Sequence, residues 1–168
     1  MKNIPRLAKL MSAITGLTIF FLAAAFIFIW FNHTQESDIL EQYLPGISNT
    51  GIGRTNLKIG FLMSLLPLGL LIYGLFQVFR FFRLYVSGEL FPPHAGILLS
   101  RFGLALLGVV PAKILVYALT SVIFSLHLPS GKRQLSVAFG SEDFLLLVIG
   151  GLIFMIGHLL NSATEVAE

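Results

Sequence analysis

The sequence contains no cysteine and few charged residues. Without cysteine, the chain has no disulfide framework and no thiolate metal site. Lys, Arg, Asp and Glu make up only 11% of its 168 residues, whereas apolar residues make up 56%. Typical soluble domains contain roughly 25% charged residues, because their surfaces face water. This composition, with a mean hydropathy of +0.88, therefore favours a protein that is solvated by a lipid bilayer.

Charge is almost absent from four long stretches. The predicted spans are residues 11–31, 59–79, 102–126 and 143–161. The first three are long enough for a bilayer core of about 30 Å, which takes about 20 helical residues. The fourth reaches that length only if Asp143 and Asn161 lie at its interfaces. Since backbone groups in lipid must be hydrogen-bonded internally, we predict an all-α integral membrane protein, a four-transmembrane-helix bundle in one domain over residues 1–168.

A cleaved signal peptide is the competing interpretation of the first span. Ala23, Ala24 and Ala25 provide small residues of the kind that precede a cleavage site. The apolar run is, however, longer than the ~7–15 residues of a signal-peptide core, which favours a span that is retained.

The basic residues predict the orientation. Six lie on one side of the four spans: Lys2, Arg6, Lys9, Arg80, Arg83 and Arg101. Four lie on the other: Arg54, Lys58, Lys132 and Arg133. By the positive-inside rule, both termini are expected in the cytoplasm. The basic residues are spread over every loop, so no direct nucleic-acid binding is expected.

Two connecting segments carry local signals. Residues 34–44 in the first loop could form a short interfacial helix. The second helix is predicted to continue beyond residue 79 through an aromatic and basic stretch, with Ser87-Gly88 as its C-cap and Pro92-Pro93 at the start of the next helix. Glu89 could pair with Arg83 or Arg101, or belong to an exposed hinge with screened charges. The candidate partner surface comprises Arg80, Arg83, Tyr85, Gly88, Glu89, Phe91 and Arg101.

Lys113 is the single charge within the third span. A central lysine costs about 2.5–3.5 kcal/mol on insertion scales, so it is expected to be turned inward, paired or hydrated. No acidic residue lies inside a span, so no carboxylate partner is expected. The candidate neighbours are Tyr73, Gln77, Tyr117 and carbonyl groups freed by Pro111. Lys113 could line a polar cavity for a lipid headgroup or an anion, or it could be a lysine without a role.

The remaining polar residues predict little chemistry. His158 and Asn161 lie three apart on one helix face, which favours a helix–helix hydrogen bond over a proton relay. His33 and His127 could meet at one membrane face, but two histidines make a weak metal site. No spacing typical of a hydrolase or metalloprotease occurs, so we expect no enzymatic activity, no cofactor and no metal.

The segment 82–91 (FRLYVSGELF) resembles a pattern of domain-of-unknown-function family 2975. That family shows an Arg-x-Tyr-x-x-Gly-Glu-x-Phe stretch after its second span, which residues 83–91 match. Arg101-Phe102-Gly103 matches a following element loosely. The resemblance implies a small four-span protein of the bacterial cytoplasmic (inner) membrane, of a family with no established activity. Its genes often stand beside a Cro-type helix-turn-helix regulator, which implies a regulatory partner at the cytoplasmic face.

Two functions follow as expectations. The first is a regulatory or interaction protein that holds a cytoplasmic partner at the membrane through its inner loop. The second is a small transporter or a lipid- or anion-binding subunit that uses Lys113. The residues do not predict the ligand or the oligomeric state.

Overall fold

A computed structural model describes residues 4–32, 54–86, 94–126, 133 and 135–167. These residues form four α-helices: α1 (Ile4–Asn32), α2 (Arg54–Val86), α3 (Ala95–Ser125) and α4 (Ser141–Ala167). All four are long and apolar enough to cross a membrane. The prediction of an all-α protein with four membrane-length helices is therefore confirmed, and we describe the chain as a multi-pass membrane protein.

The helices extend beyond the uncharged stretches. Helix α2 continues through the aromatic and basic segment and ends at Val86, as predicted. Helix α4 begins at Ser141 and has Glu142 and Asp143 in its first turn, where acidic residues complement the helix dipole. The proposed interfacial helix at 34–44 and the connection at 87–93 lie outside the described residues.

The helices pack in a row that follows their order in the chain. Contacts between described residues join α1 to α2, α2 to α3 and α3 to α4, with none between α1 and α4. A closed four-helix ring would need that last contact. The described part of the chain is thus an open bundle, in which α1 and α4 are the edges and α2 and α3 the centre.

Glycines bring α3 and α4 into backbone contact. A Cβ atom on Gly103 would lie 2.4 Å from the backbone nitrogen of Phe154, and one on Gly157 would lie 2.3 Å from that of Ser100. No side chain fits in either place. Such small-residue contacts supply the packing that hydrophobic burial does not provide between helices in lipid.

The two ends of the row differ in composition. Arg80, Arg83 and Arg101 lie at one end, which we call the arginine end. Trp30 lies at the other, the tryptophan end, where a Cβ on Gly60 would meet Phe124 at 2.9 Å and Trp30 at 3.5 Å. Helices α1, α2 and α3 therefore reach the tryptophan end together.

Helix α4 does not reach that end. Its first turn lies beside Lys113, because Asp143 bonds to the Lys113 ammonium group at 2.8 Å. Lys113 is twelve residues short of the end of α3 at Ser125, a distance of about 18 Å. Residues 135–140, which are neither helix nor strand, lie along this part of α3, where the Ser136 N–H donates to Ser121 Oγ at 3.0 Å.

Candidate functional site

A cavity of about 660 Å³ lies between α2 and α3 at the arginine end. Its walls are basic and apolar. The lining residues are Phe76, Phe79, Arg80, Arg83, Leu84, His94, Ile97, Leu98 and Arg101. We call this space the arginine cavity.

Consecutive antiparallel helices assemble the arginine cavity. Arg80 and Arg83 lie three residues apart near the end of α2, so both project to the same side of that helix. Arg101 lies in the second turn of α3, and His94 directly precedes that helix, where its carbonyl accepts the N–H of Leu98 at 3.2 Å. The end of one helix and the start of the next therefore place four basic side chains around one space.

The arginine charges are not neutralised by neighbours within the described part of the chain. No carboxylate there forms an ion pair with Arg80, Arg83 or Arg101; the two ion pairs of the described residues both involve Lys113. The guanidinium of Arg83 lies over the ring of Phe79, with its central carbon 5.9 Å from the ring centroid. This cation–π contact orients Arg83 without reducing its charge.

The candidate partner surface is thus assembled in part. The structure brings Arg80, Arg83 and Arg101 together. Tyr85 does not line the cavity; its ring packs on Phe81, with centroids 5.1 Å apart. The other members, Gly88, Glu89 and Phe91, lie outside the described residues.

His94 belongs to the arginine cavity and was missed from the sequence. The signal that could have identified it is its position directly after Pro92-Pro93, where the next helix was expected to start. A residue there, across a short connection from the end of α2, lies close to the arginines of that helix.

A second polar site surrounds Lys113. Its ammonium group bonds to Asp143 Oδ1 at 2.8 Å and to Glu142 Oε1 at 3.3 Å. The Asp143 side chain is only 2% exposed, that of Lys113 is 42% exposed and that of Glu142 is 77% exposed. The other Asp143 oxygen accepts the N–H of Gly140 at 2.9 Å, which caps the start of α4.

The expectation that Lys113 has no carboxylate partner was therefore wrong. It assumed that the acidic residues at the start of the fourth span lie at the membrane surface. Because α4 begins level with the middle of α3, these residues instead reach Lys113. Their position along the membrane normal depends on how the two helices are staggered, which their own sequence does not encode.

The other residues proposed around Lys113 are dispersed. Gln77 is buried, and its Oε1 has no hydrogen-bond partner among the described residues. It lies one turn beyond Gly74, which packs on Phe102 and Ala105, so it is more than two turns from Lys113 along the helices. Tyr73 is exposed.

Tyr117 lies one turn after Lys113 on α3 and is half-buried.

His158 and Asn161 belong to the opposite end of α4, and His158 is about 22 Å from Asp143 along the helix. His158 is exposed and stacks on Phe154, with ring centroids 6.4 Å apart. Asn161 is half-buried, and its backbone lies against Gly96. The proposed intramembrane polar residues therefore do not form one site. His33 and His127 lie outside the described residues.

No family model, curated protein or solved structure matches this chain. The arginine cavity and the Lys113 site are consequently interpreted from their own chemistry.

Proposed function

We propose that this protein binds the phosphate headgroup of an anionic phospholipid in the arginine cavity. The observation that carries the proposal is the cavity itself, where three arginines that have no carboxylate partner in the described part of the chain line one space between two membrane helices. We further propose, from the distribution of basic residues, that the arginine end faces the cytoplasm of a bacterial cell and that both termini lie there.

The chemistry of the walls matches a lipid better than a free anion. The planar guanidinium group presents its donors in a fork that fits phosphate oxygens. Basic pockets between helices at the cytoplasmic surface are a known type of site for anionic headgroups. The apolar lining from Phe76, Ile97 and Leu98 would contact the upper parts of the acyl chains, which inorganic phosphate lacks.

The position of the cavity along the membrane normal supports the same ligand. Arg101 lies at the end of an uncharged stretch of α3, and Arg80 at the end of one on α2. These positions correspond to the boundary between the acyl chains and the headgroups. A lipid phosphate is always present at this level and needs no transport into the site.

Lipid-dependent thermal stability would test the proposal. The purified protein is mixed with detergent micelles that contain phosphatidylcholine and increasing phosphatidylglycerol, and its melting temperature is recorded. We expect the anionic lipid to raise the melting temperature of the wild type, and the Arg80→Gln/Arg101→Gln double variant to lose most of that rise. Arg6→Gln/Lys9→Gln is the matched control, because it also removes two charges, at the start of α1 near the same end, and neither residue lines the cavity.

Three outcomes would overturn the proposal. The first is equal stabilisation of Arg80→Gln/Arg101→Gln and Arg6→Gln/Lys9→Gln, which would mean a diffuse charge effect. The second is a similar rise with inorganic phosphate alone, which would mean a free-anion site. The third is co-purification of a helix-turn-helix regulator with the protein from membranes in mild detergent. This result would count if the regulator is lost when Arg83 and Glu89 are changed and if its recovery does not depend on lipid. That result would support the regulatory partner that the family resemblance implies.

A further inference from the structure

We infer that water enters the protein from the tryptophan end and reaches Lys113, about halfway across the apolar band. We call this path the half-depth vestibule. It would admit small hydrophilic solutes, and its innermost residues are Lys113, Glu142 and Asp143. The inference is independent of the arginine cavity, which lies at the other end of the helices.

The unequal ends of the helices provide the first argument. Gly60, Trp30 and Phe124 bring α1, α2 and α3 together at the tryptophan end. Helix α4 starts beside Lys113, eleven residues before Phe124, or about 16 Å short of that end. In this sector of the row, the described residues therefore place no fourth helix in the outer part of the apolar band.

The depth of the charged groups provides the second argument. Lys113 is twelve residues from Arg101 along α3, about 18 Å into a hydrocarbon layer of about 30 Å. Charged side chains that face lipid at such a depth are strongly unfavourable. The Lys113 side chain is nevertheless 42% exposed and that of Glu142 77% exposed, so the described part of the chain leaves part of each side chain uncovered.

Charge balance adds to this argument. The ammonium of Lys113 offsets one of the two carboxylates, which leaves the cluster with one excess negative charge when all three groups are ionised. Asp143 is well bonded, by Lys113 at 2.8 Å and by the Gly140 N–H at 2.9 Å. Among the described residues, Glu142 has only its longer contact of 3.3 Å with Lys113. Solvation of the Glu142 carboxylate must come from outside the described helices, and water can supply it.

The backbone between α3 and α4 provides the third argument. Residues 135–140 run beside α3 without forming helix or strand. The N–H of Ser136 bonds to Ser121 Oγ and that of Gly140 bonds to Asp143. The N–H groups of Val137, Ala138 and Phe139 have no hydrogen-bond partner among the described residues. Non-helical backbone at this depth persists only where protein covers it or water reaches it.

Cysteine accessibility would test the vestibule directly, because the natural chain contains no cysteine to remove. Ala138→Cys and Glu142→Cys place a thiol on the proposed path. Leu115→Cys is the matched control, since Leu115 is exposed on α3 and lies only two residues from Lys113 in depth. Each variant is expressed in membranes and treated from one side at a time with membrane-impermeant methanethiosulfonate reagents, one cationic and one anionic.

We expect Ala138→Cys and Glu142→Cys to react from the tryptophan end, at least about a hundredfold faster than Leu115→Cys, because the reagent needs a hydrated thiolate. At Ala138→Cys the three charged residues are intact, so the cationic reagent should react faster than the anionic one. Complete labelling of all three variants in denaturant, and a single gel-filtration peak before treatment, establish that each protein is present and folded.

Two results would overturn the inference. In the first, the test positions react as slowly as Leu115→Cys, which would place lipid or protein around them. In the second, Glu142→Cys is protected from reagent but forms a disulfide between two chains. A second copy of the protein, not water, would then cover the charged residues.

Discussion

Replacement of Asp143 by asparagine tests the central electrostatic contact of this protein. The change removes the closer carboxylate from Lys113 while it preserves the size of the side chain and an oxygen that can still accept the Gly140 N–H. Lys113 would retain only the 3.3 Å contact with Glu142. We therefore expect Asp143→Asn to destabilise the folded helices.

The magnitude follows from burial. Loss of one partner of a fully buried ion pair costs about 3–5 kcal/mol. Asp143 is buried, but Lys113 is 42% exposed and keeps a second carboxylate, so solvent and Glu142 recover part of this loss. We expect about 1–3 kcal/mol for Asp143→Asn. The exposed Glu142 forms the longer contact, and Glu142→Gln should cost about 0.5 kcal/mol or less.

The assay is reversible unfolding in mixed micelles with increasing SDS, followed by the helical circular dichroism signal. Lys113→Met should be the most destabilising single change, because it leaves the buried Asp143 carboxylate without a cation. The Lys113→Met/Asp143→Asn double variant should be more stable than the sum of the two single losses predicts, since the two groups interact directly. Equal effects of Asp143→Asn and Glu142→Gln, or additive losses in the double variant, would refute this reasoning.

Three further predictions concern packing and charge. In the SDS titration, Gly157→Ala should destabilise the α3–α4 contact by about 1–3 kcal/mol, because its Cβ would lie 2.3 Å from the Ser100 nitrogen. Gly151→Ala is the control and should be neutral or slightly stabilising, because its Cβ would have no atom of a neighbouring helix within 4 Å. Thr120→Val should leave stability unchanged or raise it, since the buried Thr120 hydroxyl has no hydrogen-bond partner among the described residues. A clear loss of stability in the SDS titration would mean that this hydroxyl forms a hydrogen bond. The rise in melting temperature caused by phosphatidylglycerol should shrink between about 0.1 and 1 M salt, because the Debye length falls from about 10 to 3 Å; a salt-independent rise would indicate apolar contact alone.

Most of the secondary structure could be predicted from the sequence. A segment that crosses lipid must satisfy its own backbone, so long uncharged runs identify helices whatever their neighbours are. The extension of α2 beyond residue 79 followed from its aromatic and basic residues. The clustering of Arg80, Arg83 and Arg101 was also within reach, because a short connection places the end of one helix beside the start of the next.

The position of the fourth helix required the tertiary structure. Its sequence gives its length and its first turn but not its height relative to α3. That height depends on where backbones can approach, and the contacts of Gly103 and Gly157 with α4 and α3 select one stagger. As a result Asp143, which by sequence alone belongs at the membrane surface, becomes the buried partner of Lys113.

The order of the helices in space was likewise decided by packing. In lipid, an apolar helix face is solvated equally well by acyl chains and by another helix, so hydropathy alone cannot predict whether four helices close into a ring or stay in a row. The sequence by itself determined the solvent, the number of helices and the charges at their ends. The tertiary structure determined which charges meet, because close contacts between particular small residues set the relative heights of the helices.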